Sequence, residues 1–118
     1  MKYKISILDI LEIDDKILKE KESNIAFYTG IIENSIPKKI SFKYLYDKTN
    51  PSILLEGNFI IKHIEILSQP SEELIPGYNA VIFVQSSTEI ETLKNSIELN
   101  EKGNIANVYE FSNTPAGV

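Results

Sequence analysis

Apolar and polar positions alternate at the start of the chain: Tyr3, Ile5 and Ile7 are separated by Lys4 and Ser6. A period of two is that of a half-buried strand, which the pattern carries on toward Ile13. The alternation breaks at Leu8 and Ile10, so a bulge is expected there. Residues 14–22 follow, where an aspartate could cap a short helix but only Ile17 and Leu18 could bury, so one or two helical turns or a solvated turn fit equally.

Ile25, Phe27 and Ile31 predict a second strand within residues 24–32. Ile40, Phe42, Tyr44 and Tyr46, alternating with Ser41, Lys43 and Leu45, predict a third. The few residues of the turn at 34–37 are too short for a parallel crossover, so these two strands are expected to form an antiparallel hairpin. Asn50-Pro51 should close the third strand, because proline cannot donate to a ladder. Glu56-Gly57-Asn58 reads as the turn of another hairpin, between residues 53–55 and 59–67. Residues 68–78, with Pro70, Pro76 and Gly77, read as the longest irregular and most mobile connection.

The run Ala80-Val81-Ile82-Phe83-Val84 has no polar phase and predicts a central strand covered on both faces, over residues 79–85. Thr88-Glu89-Ile90-Glu91 has the form of a capping box, and Ile90, Leu93 and Ile97 recur at helical spacing, with Gly103 placed to end a helix over residues 89–102. Residues 105–111 alternate again and predict a last strand, which would lie parallel to the strand before the helix if the two paired. A frayed tail is expected over residues 113–118. The expected fold is therefore α+β: a mostly antiparallel mixed sheet of about six or seven strands, a barrel being one way to close it, with one main helix in a C-terminal strand-helix-strand unit.

At 118 residues and 42% hydrophobic composition the chain suits one globular domain over residues 1–118. There is no cysteine, which removes disulfides, thiolate metal sites and cysteine nucleophiles. The longest apolar runs fall far short of the roughly 20 residues of a membrane helix, and acids interrupt the first apolar stretch, so no membrane association and a cytoplasmic location, in a bacterium or its phage, are expected. All 12 basic residues are lysine, and the net charge is -5. Without the guanidinium fork, and with excess negative charge, duplex nucleic acid is not an expected partner.

Candidate chemistry is sparse. His63, the one histidine, lies two residues before Glu65, so on a strand both side chains share a face and could form a hydrogen-bonded acid/base pair beside a pocket. The acids Asp9, Glu12, Asp14 and Asp15 lack the ligand order of a calcium loop, and no metal or cofactor is expected. Phe42, Tyr44 and Tyr46 on one strand face, near Lys38, Lys39, Lys43 and Lys48, could stack single-stranded bases. No phosphate-binding glycine pattern occurs, and no serine has a nucleophile-elbow context.

Charge is uneven: residues 72–110 carry seven acids against two lysines. Glu72, Glu73, Glu89, Glu91, Glu98 and Glu101 could form a negative surface that steers a basic partner. Composition thus points to a non-enzymatic acidic protein that binds and neutralises a basic protein partner, in the manner of an immunity protein, an antitoxin or a phage inhibitor of host defence. The alternatives are a small-molecule or nucleotide binder, even a modest enzyme, with its pocket at His63 and Glu65, and a single-strand nucleic-acid binder using the aromatic strand.

Overall fold

The computed structural model describes residues 3–48, 54–96 and 109–113. Six strands close into an antiparallel barrel: β1 (Lys4–Leu11), β2 (Ile25–Thr29), β4 (Ser41–Asp47), β5 (Leu54–Ile66), β8 (Val81–Ser86) and β9 (Tyr109–Ser112). The order around the wall is β4-β9-β1-β2-β8-β5, and the β4–β5 pairing closes it. A short β6 (Gln69–Ser71) extends the sheet beyond β5, while β3 (Ile36–Pro37) pairs with β7 (Glu73–Leu74) as a separate ribbon. The fold is thus the expected α+β type, mostly antiparallel, in its barrel form.

A six-stranded barrel is narrow enough for side chains to fill, and here four phenyl rings do so. Phe111 sits at the centre, its ring centroid 5.3 Å from Phe27, 5.9 Å from Phe42 and 5.1 Å from Phe59. Ile5, Ile7, Ile61, Ile64, Ile82 and Val84 complete the inward face. Buried Ile32, Ile36 and Leu74 cover one end, where β3 and β7 cross. Leu93, fully buried on α2 (Ile90–Ser96), covers the other. Outside the wall, α1 (Asp15–Glu20) is capped by the Asp14 carboxylate, which accepts from the Lys16 amide, and it buries Leu18 against Ala26 and Phe83.

Three bulges shape the wall. The expected one in β1 lies between Ile7 and Asp9. A second lies between Ile61 and His63 in β5, and a third lies opposite Phe42 and Tyr44, where β5 advances three residues to two of β4. In β1 and at Ile61–His63 the strand carries one extra residue, so its inward phase restarts a position late, and each of the three bends the wall around the barrel.

Several expectations are corrected. The second and third predicted strands are not a hairpin, because β1 and β8 occupy both edges of β2 and the intervening segment crosses the barrel end. Glu56-Gly57-Asn58 is not a turn but part of the 13-residue β5. A Cβ at Gly57 would lie 2.9 Å from Thr88 Oγ1 and 3.3 Å from the Phe59 ring, so glycine serves close approach there. Residues 68–78 are not irregular throughout, since they hold β6 and β7 and the fully buried Leu74. β8 is central, flanked by β2 and β5, so it has no edge for β9, which runs antiparallel between β1 and β4 instead of parallel to β8. The continuation of α2 toward residue 102, the Gly103 cap, the close at Asn50-Pro51 and the tail beyond residue 113 lie outside the described residues.

Candidate functional site

The outer face of β1, β2, β8 and β5 is unusually apolar for the outside of a barrel. Cross-strand partners share a face, and the register lines up two rows. The first is Leu11, Ala26, Phe83 and His63; the second is Asp9, Tyr28, Val81 and Glu65. α1 covers the first row with Leu18, and the His63 ring packs edge-on against Phe83 at 5.2 Å. The second row is only partly covered: Asp9, Val81 and Glu65 are half-buried and Tyr28 is exposed.

On that row Tyr28 is 38% exposed, with Tyr78 at 44%, Leu8 at 41% and Leu67 at 79% around it. Tyr28, Glu65, Leu67, Tyr78 and Val81 line a concavity of about 350 Å³. Glu65 is the one charged side chain lining it. His63 Nε2 lies 2.9 Å from Glu65 Oε2, so the two share a face as their spacing predicts. Both face outward only because of the β5 bulge, without which they would continue the inward phase of Phe59 and Ile61. Glu65 reaches the concavity beside residues 68–78, whereas His63 stands behind it on Phe83.

Leu67 occupies the two-residue turn between β5 and β6, where Ile66 pairs with Gln69. Leu67 and Ser68 both have positive φ, 52° and 63°. Two positive φ values define the tight hairpin turn that favours Asn-Gly, and leucine is strained in that conformation.

A second constellation lies on the opposite outer wall. Glu110 faces outward from β9, yet it is only 5% exposed. Tyr46 Oη donates to Glu110 Oε1 at 2.5 Å, and Lys48 Nζ lies 3.3 Å and Lys4 Nζ 3.9 Å from the carboxylate. Burial, and then the hydrogen bond and charge of Glu110, push the Tyr46 phenol well above its ordinary range. A concavity of about 380 Å³ adjoins this cluster, lined also by Ser6, Ile31 and Glu33. Glu110 stood in the polar phase of the last predicted strand, and nothing in its spacing signalled burial.

The predicted acidic surface is divided. Glu72 pairs with Lys38 at 3.2 Å, and Glu73 accepts from Ser35 at 2.7 Å, both beside the β3–β7 ribbon. Glu89 and Glu91 lie past the far end of β8, about 20 Å away along its six residues at a rise of about 3.3 Å each. There Glu91 lines a cleft of about 430 Å³ with Glu12, Asp15 and Lys94. Glu98 and Glu101 lie outside the described residues.

The aromatic stripe is divided too. Across the register shift between Phe42 and Tyr44, Phe42 lies in the core at 1% exposure, while Tyr46 turns outward to Glu110 and Tyr44 sits under Lys43 Nζ at 5.8 Å. Phe42 is therefore not a stacking platform. No helix among the described residues is long and apolar enough to cross a membrane. Comparison with protein-family models, curated proteins and solved structures finds no match to this chain.

Proposed function

We propose that this chain is a non-enzymatic binding protein that seats a protein partner on the outer face of β1, β2, β8 and β5. The turn at Leu67 and Ser68 carries this reading. A leucine there holds a strained backbone and leaves its side chain 79% in water. Neither helps the chain fold, and Asn-Gly would serve the turn better. Leu67 does extend the apolar surface of Tyr28 and Tyr78 around one concavity, as a contact anchor would. With a net charge of -5, the protein would attract a basic partner and act as an immunity protein, antitoxin or phage inhibitor does, by occupying a surface.

The test is affinity capture from cells of the native source. Wild-type protein should retain a specific partner, and the double variant Leu67→Ser, Tyr78→Ser should lose it. Tyr44→Ser, on another stretch of the wall, should retain it. Capture by the double variant at wild-type level refutes the proposal. A second reading, a small-molecule pocket, draws on Glu65 lining the same concavity with His63 hydrogen-bonded to it. Loss of function on His63→Ala, with Leu67→Ser inert, would favour that reading.

A further inference from the structure

Resting on that reading, we infer that the docked segment of the partner inserts an arginine side chain, flanked by apolar residues, between Tyr28 and Tyr78. The register carries the assignment. Across four adjacent strands the half-exposed row runs Asp9, Tyr28, Val81, Glu65, so a carboxylate stands at each end of an aromatic and aliphatic middle. At a strand spacing of about 4.8 Å the two acids are roughly 14 Å apart, wide enough for one extended side chain and its neighbours.

The acids keep acceptor capacity for a ligand. Asp9 Oδ1 accepts from the Ile10 amide at 2.9 Å and Glu65 Oε2 meets His63, while Asp9 Oδ2 and Glu65 Oε1 make no hydrogen bond among the described residues. No lysine lines the concavity to neutralise Glu65. Tyrosine faces attract cations, and a guanidinium is the cation that both stacks on a ring and bonds a carboxylate through parallel N–H groups. Leu8 and Leu67, exposed at opposite margins, supply contacts for the apolar neighbours. A second copy of this chain is a poor occupant, because it holds no arginine and repels at -5 per copy.

The probes are three short peptides, acetyl-Leu-Arg-Leu-amide and its citrulline and glutamate counterparts, titrated into the ¹⁵N-labelled full chain and followed by amide shifts. Citrulline keeps the shape of arginine and removes its charge. The arginine peptide should bind about fivefold to tenfold more tightly than the citrulline peptide, the combined effect of one exposed cation–π contact and one surface ion pair. The glutamate peptide should bind weakest. Shifts should centre on Tyr28, Glu65, Tyr78 and Val81. In the variant Asp9→Asn, Glu65→Gln the advantage of the arginine peptide should fall to about twofold, the part left to the tyrosine faces, while the citrulline peptide keeps its wild-type affinity.

Equal binding of the arginine and citrulline peptides to wild type overturns the arginine assignment and leaves apolar docking standing. Shifts centred elsewhere, or no binding of any peptide, overturn it as well. The same amides shifting with protein concentration alone would give the face to a second copy and overturn it. The docking reading itself fails on a separate result, retention of the captured partner by Leu67→Ser, Tyr78→Ser.

Discussion

Truncating Phe111 to alanine probes the closure of the barrel at its centre. The ring is 1% exposed and meets Phe27, Phe42 and Phe59 at 5.1 to 5.9 Å. Those rings come from β2, β4 and β5, three separate parts of the wall, so a gap left at Phe111 cannot close by a shift of one neighbour. Large-to-small changes of a buried phenylalanine cost about 3 to 5 kcal/mol, more where collapse is hindered. A loss of about 4 to 5 kcal/mol is expected here, against a total of about 5 to 15 kcal/mol for a domain. Phe111→Leu, which refills most of the volume, should cost roughly 1 to 2 kcal/mol. The assay is urea unfolding followed by far-UV circular dichroism and by tyrosine fluorescence, the latter free of interference because the chain has no tryptophan. A loss below about 1.5 kcal/mol for the alanine variant would mean that Phe111 is not enclosed and that the wall does not close around it.

The remaining predictions concern the two outer walls. Tyr46→Phe should destabilise the fold by about 1 to 3 kcal/mol in the same urea assay, because it strips a donor from the buried Glu110 carboxylate; an unchanged midpoint would show that the two lysines satisfy Glu110 alone. In a spectrophotometric alkaline titration a late-ionising phenol should appear, and it should be absent from Tyr46→Phe. Since the folded phenol is raised above its free value of 10.0, the unfolded chain releases that proton first. The stability it contributes is therefore complete below pH 10 and is lost as pH climbs above it, more steeply in wild type than in Tyr46→Phe. Replacing Leu67-Ser68 with Asn-Gly should stabilise the protein by about 1 kcal/mol while weakening partner capture, and a destabilised variant would contradict the strain assigned to that turn.

Much of the wall was legible because its inward residues are large and apolar. The β1 bulge could be read from the step of three between Ile7 and Ile10. The same step separates Phe42 from Leu45 and Ile61 from Ile64, and there an alternating reading carried straight through hid it. Missing the register shift at Phe42–Tyr44 put Phe42, Tyr44 and Tyr46 on one face, and missing the β5 bulge left His63 and Glu65 without a side of the wall. The two hairpins failed for another reason. Gly57 and the turn-like segment at 34–37 have local signatures that tertiary pairing overrides, since strand partners are chosen by which edges remain free. The helix signal was right in kind within residues 90–96. The face proposed for docking was least legible, because an exposed leucine in a turn has no pattern to betray it, and Tyr28 and Tyr78 come to line one concavity only once the chain is folded.

The central claim is that a protein partner seats on the outer face of β1, β2, β8 and β5. The most direct measurement is hydrogen exchange on the full chain, alone and saturated with the partner that affinity capture recovers. Peptides covering Leu8 to Asp9, Tyr28 and residues 65–81 should gain protection together, and those covering Lys4, Tyr46 and Glu110 should not change. Protection confined to the Glu110 wall, or to the acidic cleft at α2, would contradict the claim.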